Sequence, residues 1–361
     1  MSTESKSTFL KVHHPILLLS MLVNPAINHA LAQTYAEKLG WKKGDKVIMF
    51  HVDDAGMSHA SNKGAIQAMT NGIATSVSVM MPCPWVSEMG QYLAENKNLD
   101  AGLHLTHTAE WTGYRWASVS GIKASPGLSD MEGVLWSNVA DVVAHASANE
   151  IETEIRAQLA KARTMGFSPT HLDTHMGTLW ATPDYLDRYI KVGIEEHIPI
   201  LFSAGNNTLM QQALAQGPLA GLNMLANNRS GSYDTAEVLN AIRQKGKEIW
   251  DAGLVVVDDL YLLSYDWEFP SDLEASDENL RTFKTQKYKE LLDSLAPGIT
   301  VILIHCTDAD KGFSAINDSG NTRRGDLLSM TDPELKRYVQ QQGFILTTWR
   351  ELQAKRDNIR N

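Results

Sequence analysis

Short apolar runs alternate with helix-like segments along this chain, and this alternation is the feature that most constrains its fold. The runs are rich in β-branched or large apolar residues, which favours buried strands, and the segments between them have helical spacing. The predicted strands lie at residues 46–50, 74–81, 100–106, 169–177, 198–202, 254–259, 298–305 and 344–348. The predicted helices lie at residues 34–41, 65–69, 85–95, 141–165, 184–196, 237–252, 280–295 and 332–342. Strands that alternate with helices predict a parallel sheet.

The length of the chain indicates how this sheet is arranged. With 361 residues, of which 43% are hydrophobic, the chain can bury a large core, and we predict an α/β fold with a single (β/α) barrel. Long loops are predicted at residues 109–136, 205–234 and 265–278. Because no repeat, low-complexity tract or linker divides the chain, residues 33–361 are predicted to form one domain.

The first 32 residues have the pattern of a secretory signal peptide. Lys6 and Lys11 precede an apolar stretch at residues 15–23, and small residues at Ala30 and Ala32 form a cleavage site. The apolar stretch is too short to span a bilayer, so we expect no stable membrane span after cleavage. We therefore predict a mature protein that begins at Gln33 and is secreted or periplasmic, with a disordered leader as the alternative.

Net charge limits the partners that the protein can bind, and cysteine content limits the disulfide bonds that can stabilise it. The net charge is −10, and about −11 after removal of the leader, which argues against nucleic acid as a partner. Only Cys83 and Cys306 are present, so a single disulfide is compatible with export but is not required by the sequence. A homo-oligomer is likewise compatible with this composition.

Two adjacent carboxylates, Asp53 and Asp54, follow directly after the first predicted strand. Gly56 can turn the chain, and Ser58 is a candidate N-cap for the next helix. The carboxyl ends of strands are where α/β folds build their sites. Two neighbouring carboxylates repel each other, and a bound cation or one raised pKa resolves this conflict. The alternative is an ordinary exposed Asp-Asp turn.

Histidines and further acids also cluster at predicted strand ends. The full set is Asp53, Asp54, His104, His171, Asp173, His175 and His305. Two histidines and a carboxylate form a common open site for one divalent ion, here Mg²⁺ or Zn²⁺, which can activate a water molecule. A spare aspartate can then act as general base and a further histidine as general acid.

The individual residues also have structural explanations. Alone, His104 is more typical of a core histidine, and His171 and His175 are both compatible with a loop or a ligand position. Asp173 shares their face of the extended chain and is predicted to hold a ligand histidine in one tautomer. Burying His305 at the end of an apolar strand is unfavourable unless the ring is paired. We assign structural or peripheral positions to five other residues, namely His51, His59, His107, Asp258 and Asp259.

Four motifs give the chain a resemblance to a known family. They lie at residues 52–58, 102–106, 171–175 and 303–305 and match, in order, motifs of the YdjC-like carbohydrate deacetylases. This family includes chitooligosaccharide and hopanoid-sugar deacetylases. The resemblance covers roughly residues 45–352, including the tail that starts at Arg323 and Arg324. It implies a distorted or incomplete (β/α) barrel and metal-dependent removal of N-acetyl groups from an amino-sugar oligosaccharide or polysaccharide.

The resemblance also implies roles for individual residues. Asp53 corresponds to the catalytic base, and His305 to the candidate general acid. The metal triad would be Asp54, His104 and His175, with His171 and Asp173 as outer or alternative ligands. Two departures from the family pattern are Gly177, where a histidine is usual, and Cys306-Thr307, where Pro-Gly is usual. The first bears on the sugar contacts and the second on the role of His305.

Tryptophans supply aromatic faces that could stack on sugar rings. The candidates are Trp111, Trp116, Trp136, Trp180 and Trp267, and we expect about half of them to pack in the core instead. Three alternative functions remain: a glycoside hydrolase, a two-histidine-one-carboxylate iron oxygenase, and a secreted glycan-binding protein without catalysis. A glycoside hydrolase needs carboxylates about 5–10 Å apart across the substrate, which adjacent aspartates do not readily provide.

Overall fold

A long central strand, β1 (Lys46–Ala55), organises the sheet. The structure is a computed structural model and describes residues 33–216 and 235–360. β1 pairs in parallel with three other strands, and the sheet order is β4-β3-β2-β1-β6-β5, with β7 added to the start of β1. The other strands are β2 (Ser76–Val79), β3 (Ala101–Leu105), β4 (Leu172–Thr174), β5 (Asp259–Tyr261), β6 (Gly298–Ile304) and β7 (Ile345–Leu346).

Helices surround this parallel sheet. The α-helices are α1 (Tyr35–Lys38), α2 (His59–Thr70), α3 (Val86–Glu95), α4 (Val139–His145), α5 (Ala148–Thr164), α6 (Pro183–Glu196), α7 (Thr208–Gln216), α8 (Thr235–Asp251), α9 (Asp277–Ser294), α10 (Gly320–Met330), α11 (Pro333–Gln341) and α12 (Trp349–Arg360). Short 3₁₀ turns lie at Pro126–Leu128, His175–Trp180, Leu263–Asp266 and Phe313–Ala315. None of the helices in residues 33–216 and 235–360 is long and apolar enough to cross a membrane.

The edges of the sheet approach each other through a segment that sequence analysis predicts as a strand. In the structure, residues 198–203 form only single bridges: Ile200 pairs with Leu172 of β4, and Ser203 pairs with Val257 just before β5. The segment changes partner within three residues, so neither pairing extends into a ladder. The sheet is therefore a curled parallel sheet that does not close fully, and the prediction of an incomplete (β/α) barrel is confirmed.

Helix caps explain one error in the predicted helix boundaries. The helix predicted at residues 141–165 is two helices, α4 and α5, separated at Ala146 and Ser147. The Ser147 hydroxyl accepts from the backbone N–H of Glu150, and the Glu150 carboxylate accepts from the backbone N–H of Ser147. This reciprocal capping box starts a new helix, because it provides acceptors for backbone N–H groups in the first turn that have no acceptor within the helix.

Several other predictions are resolved by the structure. The second Asp-Asp pair caps helices: Asp258 accepts from the first two backbone N–H groups of α1 at 2.8 and 3.1 Å, and Asp259 accepts from Leu209 and Met210 in α7. Cys83 and Cys306 are both buried and both free. The predicted signal peptide lies outside the described residues.

Candidate active site

A pocket of about 340 Å³ opens at the carboxyl ends of the strands. Six of the seven strand-end candidates line it, and His171 is the exception. The lining residues are Asp53, Asp54, His104, Glu110, Trp111, Asp173, Thr174, His175, Met176, Gly177, Trp180, Leu201, Leu262, Tyr265, Asp266, Leu303, His305, Asn317 and Arg323. The pocket therefore combines a charged floor with apolar and aromatic walls.

The end of β1 places both aspartates in this pocket. Successive side chains of a regular strand point to opposite faces, yet Asp53 and Asp54 both line the pocket and are 5% and 2% exposed. Asp54 adopts a left-handed backbone conformation, with φ at 64°, and Gly56 follows at 87°. The pairing with β2 is irregular between Val52 and Ala55, so the strand bends at this point. A strained backbone at this position is typical of functional sites.

Three ligand-type atoms converge above β1, β3 and β4. The Oδ1 atom of Asp54 lies 3.4 Å from His104 Nε2 and 3.5 Å from His175 Nδ1. The two histidine nitrogens are 3.1 Å apart. Donor atoms that bind one Zn²⁺ at about 2.0–2.1 Å in tetrahedral geometry lie about 3.3 Å from one another. Asp54 Oδ1 is buried and has no hydrogen-bond partner among the described residues, so the donor set fits a divalent ion.

Carboxylates hold the outer nitrogen of each of these two histidines. His104 Nδ1 lies 2.8 Å from Asp173 Oδ1, and His175 Nε2 lies 2.8 Å from Glu110 Oε1. When a carboxylate accepts the outer N–H, the inner nitrogen keeps its lone pair for a metal. Asp173 thus contacts a ligand candidate, and its predicted function of fixing the tautomer of that histidine stays a prediction. Sequence analysis missed Glu110, which comes from the long loop after β3.

Asp54, the third ligand candidate, is held by a buried arginine. Arg323 of α10 is 3% exposed and places Nη1 at 2.7 Å from Asp54 Oδ2. Its guanidinium also lies over the ring of Tyr265, 5.2 Å from the centroid. Because Arg323 occupies Oδ2, Oδ1 is the oxygen of Asp54 that faces the histidines.

His305 faces both aspartates from the end of β6. Its Nε2 atom lies 3.9 Å from Asp53 Oδ2 and 4.0 Å from Asp54 Oδ2. Its backbone N–H donates to Asp326 Oδ2 at 3.0 Å, and its ring packs edge-on against Tyr265. These distances leave space for a reacting group between the imidazole and the carboxylates.

Burial and neighbouring charges shift the pKa values of this cluster in opposite directions. Burial alone would raise the pKa of Asp54, but Arg323 and the ligand histidines hold it well below its ordinary value. Burial would lower the pKa of His175, yet Glu110 and Asp54 raise it to about 9. The pKa of His305 is lowered, mainly by burial. A metal binds the neutral imidazole, so metal binding at His175 would compete with protonation of this ring.

The remaining histidine candidates lie outside the pocket. His171 is fully buried, its ring stacks on Trp349 with centroids 5.3 Å apart, and its Nδ1 lies 3.0 Å from Thr170 Oγ1. His59 pairs with Glu88 near the surface. The placement favours His175 over His171 as the partner of Asp54 and His104.

The tryptophan candidates divide into two groups. Trp111 and Trp180 line the pocket. Trp116 is buried and donates Nε1–H to the carbonyl of Thr108, whereas Trp136 and Trp267 donate to Gly127 and Tyr261 respectively. These three rings pack within the protein, so only Trp111 and Trp180 are positioned to contact a ligand.

Comparisons with known proteins are consistent with this arrangement. The family model described as "YdjC-like protein" matches residues 47–341. A carbohydrate deacetylase of Thermus thermophilus is 36% identical over 156 residues, which cover 43% of this chain and 53% of that relative. A carbohydrate deacetylase of Thermoanaerobacter pseudethanolicus is 22% identical over 304 residues, which cover 84% of this chain and 98% of that relative. The first of these matches thus spans about half the length of the relative.

One solved structure supports the fold. It is a crystal structure from Enterococcus faecalis of a protein described as a candidate for cellobiose-phosphate cleavage. The TM-score is 0.61 at 18% sequence identity, and the alignment covers 85% of this chain and 99% of that chain. At this identity the likeness shows a common fold and does not transfer an activity.

Proposed function

Because this chain belongs to the YdjC-like family, we propose that it is a carbohydrate deacetylase, a metal-dependent hydrolase that removes N-acetyl groups from an amino-sugar oligosaccharide or polysaccharide. The observation that carries the proposal is the convergence of Asp54, His104 and His175 beside two further titratable side chains, Asp53 and His305. Amide hydrolysis requires an activated water, a proton acceptor and a proton donor, and this pocket contains candidates for all three.

The metal triad accounts for the electrophilic part of the reaction. A divalent ion held by Asp54, His104 and His175 would polarise the acetamide carbonyl and lower the pKa of a bound water. Asp173 and Glu110 orient the two histidines for this purpose, as carboxylates beside ligand histidines commonly do.

Asp53 and His305 account for the proton transfers. Asp53 Oδ2 accepts the proton of the attacking water, and His305 Nε2 delivers a proton to the departing amine of the sugar. The two atoms are 3.9 Å apart and face the same space. Burial lowers the pKa of His305, so its protonated ring is a stronger acid than an imidazolium ion in water.

The pocket walls suit a sugar carrying an uncharged acetamido group. Trp111 and Trp180 offer ring faces, and Met176, which is 52% exposed, lies at the same opening. Carbohydrate rings have apolar faces that pack on aromatic side chains, while their hydroxyl groups need polar partners. Asp266 and Asn317 supply polar groups in the same pocket.

Release of acetate tests the proposed function. Purified protein is incubated with a panel of N-acetylated amino-sugar oligomers, before and after treatment with a chelator, and both acetate and new reducing ends are measured. We expect acetate release that is abolished by the chelator and restored by a divalent ion, without new reducing ends. Formation of reducing ends without acetate would instead indicate a glycoside hydrolase, and binding without either product would indicate a glycan-binding protein.

Export forms a separate part of the proposal. The basic and apolar pattern of residues 1–32 supports cleavage before Gln33 and a secreted or periplasmic location. N-terminal sequencing of the protein from its native host should return a start near Gln33. A start before Pro15 would contradict export by a cleaved signal peptide.

A further inference from the structure

A buried histidine that the proposed chemistry does not use lies directly behind the catalytic aspartate. His51 of β1 is fully buried, and its Nε2 atom lies 2.6 Å from Asp173 Oδ2 and 3.2 Å from Asp53 Oδ1. Its other nitrogen, Nδ1, lies 2.9 Å from the hydroxyl of Ser76. The Nε2 atom also lies 3.3 Å from the hydroxyl of Ser78, so the ring is held on one side by one hydroxyl and on the other side by two carboxylates and a second hydroxyl.

The strand geometry explains this placement. Residues i and i+2 of a strand lie on the same face, so His51 and Asp53 project to the same side of β1. Asp173 lies across the barrel on β4 and bonds His51 through Oδ2 and His104 through Oδ1. Hydrogen bonds thus connect His51 through Asp173 to His104, and Asp53 Oδ1 adjoins this chain as an ion-pair partner of His51 at 3.2 Å.

This arrangement is too unfavourable to be explained as ordinary packing. Removing charged groups from water is costly unless they are paired, and an apolar residue would fill the same volume without that cost. Burial acts to lower the pKa of His51, but Asp173 and Asp53 together raise it to about 9. The two carboxylates therefore favour the protonated ring, which has a donor on each nitrogen.

We propose that His51 is a positioning residue for Asp53, holding the Oδ1 oxygen so that Oδ2 faces the reacting group. The proposal rests on the function proposed above. Asp53 Oδ2 lies 3.9 Å from His305 Nε2 and 4.0 Å from His104 Nε2, on the pocket side of the carboxylate. Without His51, Asp53 Oδ1 would keep the long hydrogen bond from the buried Ser78 hydroxyl at 3.5 Å but would lose its cationic neighbour, so the carboxylate would be held less firmly.

His171 offers a matched control for the loss of a buried imidazole. It is also fully buried, and its ring centroid lies 4.9 Å from that of His51. Its Nδ1 atom pairs with the hydroxyl of Thr170 rather than with a carboxylate. His171→Gln therefore removes a neighbouring core histidine and leaves the contacts of Asp53 in place.

The test compares His51→Leu, His51→Gln and His171→Gln in the full metal-loaded protein. We expect His51→Leu to lower kcat by about 10–100-fold while KM and metal affinity stay within about 3-fold of the original values. His51→Gln keeps an amide donor and should lose less of kcat than His51→Leu. His171→Gln should retain kcat even where its thermal unfolding midpoint falls as far as that of the His51 variants. Equal kcat losses in all three variants would overturn the proposal, because they would show a general structural effect.

A second measurement does not depend on catalysis. The His51 Nε2–H lies 2.6 Å from Asp173 Oδ2 and 3.2 Å from Asp53 Oδ1, measured from the nitrogen, and should give a strongly downfield proton resonance in the ¹⁵N-labelled protein. This resonance should disappear in His51→Gln, persist in His171→Gln and move in Asp53→Asn. A resonance that is unaffected by Asp53→Asn would contradict the contact between His51 and Asp53, whereas absence of acetate release from the original protein would contradict only the proposed function.

Discussion

Asp53 and Asp54 are neighbours in sequence, yet the structure gives their carboxylates different surroundings, and single substitutions should separate them. Asp54 points Oδ1 at two histidine nitrogens and gives Oδ2 to Arg323. Asp53 is held by His51 and points its other oxygen towards His305. Replacing each aspartate by asparagine keeps the volume and removes the charge.

Asp54→Asn should act mainly on the metal. Arg323 needs an acceptor at 2.7 Å, so the amide oxygen of the asparagine will turn to Arg323 and the NH₂ group will face His104 and His175. An NH₂ group has no lone pair for a metal. We expect metal affinity to fall by at least about 100-fold, or ~2.7 kcal/mol, and the rate to recover partly at high metal concentration.

Asp53→Asn should act mainly on the chemical step. The substitution leaves all three candidate ligands in place, so metal affinity should change by less than about 3-fold. It removes the proton acceptor, and a positioned base contributes about 10²–10⁴-fold, or ~2.7–5.4 kcal/mol, to the rate. Added metal should not restore the lost kcat.

The assay combines equilibrium metal titration with acetate release at several metal concentrations. Asp259→Asn is the matched control, because Asp259 is equally buried, follows another aspartate and caps α7 instead of lining the pocket. It should reduce thermal stability without changing metal affinity or kcat. Rescue by metal in Asp53→Asn but not in Asp54→Asn would exchange the two assigned functions. Small and equal losses in both variants would remove the pair from the chemistry.

Three further predictions test separate parts of the structure. Gly102→Ala should destabilise the fold by about 1–3 kcal/mol in chemical denaturation, since a Cβ there would lie 2.4 Å from the carbonyl oxygen of His171; unchanged stability would contradict that packing. Trp180→Ala should raise KM about 3–10-fold with little change in kcat, because it removes an aromatic wall of the pocket; a selective loss of kcat would contradict a binding role. Lys191, together with two arginines, lowers the pKa of Glu152 to about 2. Glu152→Gln should therefore lower the free energy of unfolding above about pH 4.5, and this difference from the original protein should disappear as the pH falls through 2. A difference that is constant with pH would contradict the ion pair.

The convergence of the candidate site residues could be predicted from the sequence because the motif residues follow strands. Parallel strands place their carboxyl ends at one edge of the sheet, so Asp54, His104 and His175 meet although they are distant in sequence. The predicted bounds of β6 differ from the observed ones by one residue, because a long run rich in β-branched residues strongly favours a strand over a helix.

The helix α10 could not be predicted in the same way. Pattern analysis expects a helix to bury apolar residues, whereas α10 buries Arg323 and Asp326. These charges are compensated by Asp54 and by Lys284, which lies 2.9 Å from Asp326, and both partners are remote in sequence. Sequence analysis therefore includes Arg323 only in the family resemblance and assigns it no function.

Site residues in loops could not be predicted from the sequence either. Glu110 lies in a long segment without periodicity, and nothing in its local sequence indicates a contact with His175. The same segment contains Trp111, which reaches the pocket, and Trp116, which does not. The direction of a loop side chain depends on tertiary packing, which spacing alone does not reveal.

The location of a bound ion tests the central claim most directly. Crystals of the protein soaked with Zn²⁺ or Mn²⁺ can be examined by anomalous X-ray scattering. We expect one peak per chain, at about 2.0–2.2 Å from Asp54 Oδ1, His104 Nε2 and His175 Nδ1. Two other buried groups among the described residues have metal-ligand character, and both contain Asp173. A peak at either of them, or no peak in protein that releases acetate, would contradict the account.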